Sequence, residues 1–266
     1  MISSYIENLR NITKPTKNGD GLGLDRPSFV IIRNCTVDFS NEDLEEIDEC
    51  LGITRGAEAY VYNCEFKGAQ KVVLIGCGDE EYLEIEKDKA VVFDTCTFKY
   101  GSRRMPEVQN GMRVLLLNCT IEDWCNPNRY TFNPKKNRGF GAWSHDDGSI
   151  LAINCMFHQS KFWKGLKLML CDFLGHMGQT FNDEGILGLF KPKNWIPGVC
   201  RGLTSGKDGR VEAYNCTKNH WWIRIENNHK DFSTDELEGV LQEWLHTLPS
   251  NHQCKGLSLY NETALY

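Results

Sequence analysis

Residues 114–121, Val114-Leu115-Leu116-Leu117-Asn118-Cys119-Thr120-Ile121, form a short apolar run that ends in Asn-Cys-x-apolar, and the rest of the chain is read from it. The pattern returns at residues 30–37 (VIIRNCTV), 59–66 (AYVYNCEF) and 150–157 (ILAINCMF), and in weaker form at 91–98 (VVFDTCTF) and 211–218 (VEAYNCTK). Copies spaced by roughly 23 to 61 residues imply stacked repeats from which loops of unequal length depart. Such arrays carry their binding loops on one face.

A strand sends alternate side chains to opposite faces, so the positions two and four before each Asn (or Thr95) share a face. They read Val30/Ile32, Ala59/Val61, Val91/Phe93, Val114/Leu116, Ile150/Ala152 and Val211/Ala213, and none is polar. The intervening positions are mixed, with Arg33, Tyr62, Asp94, Glu212 and Tyr214 among them. One column therefore faces a core and the other faces something else. Asn tolerates left-handed backbone geometry and hydrogen-bonds nearby backbone, which suits the end of a strand. Stacking predicts Asn above Asn and Cys above Cys.

The chain has 266 residues, 41% hydrophobic and 25% charged, with a formal net charge of −6. That length supports one sizeable core. No run approaches the roughly 18 apolar residues that a membrane-spanning helix needs, and the first residues lack the basic start and apolar middle of a signal peptide. Of the twelve cysteines, six fall in the repeated Asn-Cys slot, where a reduced thiol acts as a small buried hydrophobe. The absence of a CxxC pair argues against structural zinc. The charge balance and the lack of a motif argue against nucleic acid as a partner.

Along the chain, residues 1–18 read as a polar arm, 19–228 as the repeat domain, and 229–266 as a tail. Residues 40–49 (SNEDLEEIDE) are acidic: a solvated face, or the remnant of a cation site. Residues 126–137 (NPNRYTFNPKKN) read as a long lip and residues 161–195 give no clear pattern. Residues 233–248 (STDELEGVLQEWLHTL) predict a helix: Ser233 and Glu236 form a capping box, an apolar stripe runs from Leu237 to Leu248, and Pro249 stops it. It is expected to cover an end or side of the array.

Several motifs then occur in a telling order. Residues 29–35 (FVIIRNC), 48–56 (DECLGITRG) and 66–79 (FKGAQKVVLIGCGD) precede Arg104-Met105-Pro106-Glu107-Val108-Gln109, which fits RxPxxQ, and residues 143–157 (WSHDDGSILAINCMF) follow. Over roughly residues 20–160 this order resembles the pectate and pectin lyases of polysaccharide lyase family 1, with the Gln form of the loop closer to pectin lyases. The resemblance implies an all-β, right-handed parallel β-helix, here with a C-terminal α-helix. It also implies β-elimination, in which a proton leaves C5 of a uronic acid and the C4 oxygen departs. Arg104 matches the residue credited with removing that proton, and Lys71 the lysine that contacts substrate. An arginine pKa above about 12 makes charge stabilisation the alternative role for Arg104.

Where pectate lyases hold calcium by several carboxylates, this chain has Arg33 and Gly52, leaving Asp48 and Glu49 as weak calcium ligands. The expectation is a reaction without a cofactor, calcium being the alternative. Arg33, Arg55, Lys71 and Arg103 then supply positive charge, while Gln109 and Trp143 join them in binding. The expected partner is an acidic or methyl-esterified polysaccharide, met by a monomer with no membrane contact, and the resemblance implies extracellular action. Tyr60, Tyr62, Trp124 and Trp143 suit sugar stacking or packing between coils equally. The second hypothesis is a β-helix that binds carbohydrate, or serves a structural role, without catalysis.

Overall fold

The computed structural model describes residues 3–9, 20–40, 48–101, 103–125, 139–160, 198–249 and 253–259. Every strand pairing in it is parallel, and the chain visits three sheets in a fixed rotation. The first sheet contains Ser3–Glu7, Phe29–Arg33, Glu58–Tyr62, Ala90–Asp94, Arg113–Leu117, Ser149–Ile153, Arg210–Tyr214 and Asn228–His229. The second contains Thr36–Asp38, Glu65–Lys67, Thr97–Lys99, Thr120–Glu122, Met156–His158 and Thr217–Lys218. The third contains Leu22–Leu24, Glu49–Ile53, Lys71–Ile75, Glu107–Val108, Ala142–Ser144, Arg201–Ser205 and Arg224–Ile225. This is the strand arrangement of a parallel β-helix.

The column from Val30/Ile32 to Val211/Ala213 lies in the core, each pair in register with the next. The second sheet contributes Val37, Phe66, Phe98, Ile121 and Phe157, also in register and fully buried. Burial of each such side chain stabilises the fold by roughly 1.5–3 kcal/mol.

Between the first two sheets the chain turns through Asn34, Asn63, Thr95, Asn118, Asn154 and Asn215, all left-handed with φ between 48° and 55°. Their backbone N–H groups donate to the carbonyl oxygens ending the next strand, as from Asn118 to Ile153 (3.0 Å). Asn63 Nδ2 donates to Asn34 Oδ1 at 2.8 Å, and Thr95 interrupts the series by turning its hydroxyl to Asp94 instead. The cysteines that follow are buried, and Cys119 Sγ lies 3.3 Å from both the Leu117 and the Phe93 carbonyl oxygens. All eleven described cysteines are free thiols.

The other column of the first sheet faces the helix Thr234–His246. Phe29, Ile31, Val92, Leu115, Leu117, Leu151 and Ile153 form a second apolar cluster with Leu237, Leu241, Leu245 and Leu248. Ser233 caps the helix, accepting from the Glu236 N–H while the Glu236 carboxylate accepts from its own N–H.

Two readings left open by the sequence are narrowed here. Within residues 1–18, Ser3–Glu7 forms a strand paired with Phe29–Arg33, satisfying the backbone of that edge. Tyr60 is buried with its hydroxyl on Asp94, and Trp124 is fully buried in the core, so packing claims both. Tyr62 packs at the edge of the cluster under the helix, stacked on Tyr60. The acidic segment at 41–47, the lip at 126–137 and residues 161–195 lie outside the described residues.

Candidate active site

The outer face of the third sheet is where charge collects. Its inner column, Leu51, Ile53, Val73, Ile75, Val108, Ala142 and Leu203, is in the core, so alternation turns Gly52, Leu74, Glu107, Trp143 and Thr204 outward in one row. At the start of the strands a second row pairs Glu49 with Lys71, and Lys71 with Arg103. Register alone thus brings together residues that are up to 55 positions apart.

Arg104 sits at φ 62°, a left-handed conformation that costs a non-glycine residue free energy. It is held there by the neighbouring coils: its carbonyl accepts from Val73 N–H (2.9 Å), and the following Met105 N–H donates to Gly141 (2.9 Å). The proline stiffens the loop, and the Met105 side chain is buried beneath it. The sequence motif is therefore a clip that presents one guanidinium.

Around it the charges alternate. Lys71 Nζ contacts Asp48 Oδ1 and, at 3.0 Å, Glu49 Oε1. Arg104 Nη1 lies 3.3 Å from the same Glu49 oxygen, and its Nε pairs with Glu107 Oε2. Glu107 Oε1 is 2.9 Å from His145 Nε2, and His145 Nδ1 is 2.7 Å from Asp146 Oδ2. Glu49 and Glu107 are each only 3% exposed, so neither carboxylate is a solvated surface charge.

Burial pushes the Glu49 carboxyl up to about 8, with Asp20 adding to the rise and Arg104 opposing it. Burial pushes the Lys71 ammonium down to about 7, helped by repulsion from Arg104 and then Arg103. Each group is driven toward its neutral form although the two touch. Arg103 is lowered from its ordinary value, first by burial and then by Arg104.

Of the residues singled out by sequence, Lys71, Arg103 and Arg104 converge with Asp48 and Glu49. Arg33 does not join them. It ends a strand of the first sheet, where it pairs with Glu7. Arg55 lies beyond the other end of Glu49–Ile53, with its guanidinium 5.1 Å from the Tyr82 ring centroid and its backbone N–H donating to Glu86 Oε1. Gln109 is buried, donating its side-chain amide to the Gly76 carbonyl at 2.9 Å, which makes it a brace between coils. Trp143 is beside Glu107 in register, but its ring stacks on His145 (centroids 4.1 Å) and packs against Phe140 (4.8 Å).

Glu107 and His145 were missed by sequence reading. Glu107 lay unmarked inside the loop motif as one of its variable positions. His145 was quoted only as part of residues 143–157, and only the coil register reveals that it reaches Glu107.

Of the calcium candidates named from sequence, Asp48 and Glu49 are among the described residues, and both are engaged by a cation of the protein itself. Asp48 and Glu49 turn their oxygens to the Lys71 ammonium, which stands where a cation would bind, and Ca2+ takes about six to eight oxygens. A side chain at Gly52 would meet the Asp20 carboxylate at 3.1 Å, and no group of three His, Cys, Asp or Glu is placed to hold a metal among the described residues.

No family model and no curated protein matches the chain. Among solved structures, a thermostable pectate lyase, PL 47, is similar at 17% identity with a TM-score of 0.45, over 58% of this chain and 44% of that one. The chain therefore spans less than half the length of that structure.

Proposed function

We propose that this chain is a polysaccharide lyase that cleaves a uronic-acid glycan by β-elimination on the outer face of the third sheet. The observation that carries the reading is the convergence of Lys71 and Arg104 on the buried Glu49, with Arg104 also on Glu107 and held in a costly backbone conformation, and with Arg103 beside them. Acidifying C5 requires fixed positive charge at the carboxylate or ester beside it. Arg103 and Arg104 supply that charge, and a guanidinium keeps it at any working pH.

The proton itself suits Lys71. An acceptor works best with a pKa near the operating pH, and Lys71 is pushed down to about 7. The C5 proton passes to the unprotonated Lys71 nitrogen, the C5–H electrons become the C4=C5 double bond, and the C4–O bond breaks with the oxygen protonated by solvent. Because carboxylates alternate with the cations, the face is close to neutral. That favours a methyl-esterified substrate such as pectin over a fully ionised one. It also favours chemistry without calcium, the Lys71 side chain filling the space between Asp48 and Glu49 whether or not its nitrogen carries the extra proton.

Incubation with methyl-esterified pectin and with polygalacturonate, each with and without a chelator, tests this through the ultraviolet absorbance of the C4–C5 unsaturated product. Absorbance that persists in chelator supports the reading, and its absence on every uronan tried overturns it. One observation favours binding alone: Arg104 is engaged by two carboxylates in the free protein. Retained affinity for such glycans without turnover would mark that case.

A further inference from the structure

His145 stands with both ring nitrogens against carboxylate oxygens, Nε2 on Glu107 and Nδ1 on Asp146. A neutral imidazole has one N–H and would turn a lone pair toward one of these carboxylates, whereas an imidazolium donates to both. The ring is also fixed by stacking: Arg201 lies 5.3 Å from the Phe140 centroid, Phe140 packs on Trp143, and Trp143 stacks on His145. Glu107 is thereby divided, with one oxygen on His145 and the other on Arg104 Nε.

From this geometry we infer that His145 is a positioning residue for Arg104: as an imidazolium it holds one oxygen of Glu107 and keeps that carboxylate from chelating the guanidinium with both. When the ring loses its proton, its positive charge no longer holds Glu107, and in the tautomer that keeps the hydrogen on Nδ1 the Nε2 lone pair faces that carboxylate. Glu107 is then free to meet Arg104 with both oxygens, the strong two-pronged pairing of arginine with carboxylate, and the charge offered to a substrate falls. The catalytic part of this inference rests on the lyase reading above; the electrostatic part does not.

The surroundings agree. Burial opposes the charged ring, but hydrogen bonds to Glu107 and then Asp146 outweigh it, so His145 is raised above its ordinary value. The next coil brings Gly206 against the Trp143 ring and the His145 Cβ and Gly209 against the His145 backbone, while Lys207 and Asp208 of that turn are exposed and pair with each other at 3.7 Å. Stability owed to the imidazolium is complete below the ordinary histidine value and is lost as pH rises through the raised one.

The deciding experiment follows the His145 ring and the Arg104 Nε–H by nuclear magnetic resonance across pH, in the wild type, Glu107→Gln and His145→Gln. The wild type should show His145 titrating above about 6.5 and the Arg104 signal shifting with the same midpoint. Glu107→Gln should lower that midpoint, and His145→Gln, whose amide donates at every pH, should abolish the Arg104 shift. A His145 that titrates at or below the ordinary value, or an Arg104 signal flat through its titration, overturns the inference. Thermal unfolding of each variant checks that it is folded. Elimination rates measured alongside should fall on the alkaline side in the wild type and lose that limb in His145→Gln; an identical limb in both contradicts the positioning role. If no variant eliminates but the linked shifts appear, the lyase reading fails and the coupling of His145 to Arg104 stands.

Discussion

Arg104 Nη1 lies 3.3 Å from Glu49 Oε1, across two coils and 55 residues of sequence. Nothing local brings them together. The contact exists because the apolar runs stack with constant register, so the strands Glu49–Ile53, Lys71–Ile75 and Glu107–Val108 lie side by side.

Charge on this face, rather than charge in general, should govern activity. Lys71→Ala and Arg103→Ala are expected to lower the elimination rate at least about tenfold each, the first by removing the proton acceptor and the second by removing a charge-stabilising donor, which at such sites costs up to about 10²–10³. Arg33→Ala, on another sheet and paired with Glu7, is expected to leave it within about twofold. Steady-state rates on methyl-esterified pectin compare them. Equal losses in all three would mean that the cluster has no special role.

Lys71→Arg separates charge from proton transfer. The guanidinium keeps the positive charge but stays protonated, so a loss of about 10²–10⁴ is expected if Lys71 takes the C5 proton. Retention of most of the activity would return that task to another group.

Burial of Glu49 and Lys71 leaves opposite marks on stability. Glu49, held at about 8 against an ordinary 4.5, contributes in full below 4.5, and that contribution is lost as pH rises through about 8. Lys71, held at about 7 against 10.5, contributes in full above 10.5, and its share is lost as pH falls through about 7. Urea midpoints should therefore rise for Glu49→Gln relative to wild type between acid pH and pH 8. The same comparison for Lys71→Met should improve as pH falls from 10.5 to 7. Parallel profiles for variant and wild type would show the two groups to be solvated.

The turns make a sharper stability test. Asn118 at φ 52° suits a residue that tolerates left-handed backbone. Asn118→Ala is expected to cost roughly 1–2 kcal/mol in chemical denaturation and Asn118→Gly much less. A cost as large for Gly as for Ala would place the importance in the side chain instead.

The framework was legible because a period-2 column and an Asn-Cys ending repeat along the chain, and both features are local. Val114/Leu116 and their counterparts marked the inner face unaided. The order of motifs singled out Arg104 and Lys71, and the register places both against Glu49. Arg33 was misplaced because sequence order says nothing about which sheet of a coil a strand joins, and its sheet turns its outer face to the C-terminal helix. Gln109 was misread because a polar residue in a motif looks like a ligand, while here it satisfies the Gly76 carbonyl between coils. Glu107 and His145 carry no signal except their register.

The central claim is tested most directly by the ultraviolet absorbance of products from methyl-esterified pectin in chelator, with wild type and Arg104→Ala compared at equal concentration. The account predicts steady growth of absorbance for the wild type and a loss on the order of 10²–10³ in the variant, with both folded by thermal unfolding. Equal growth in the two proteins would contradict it.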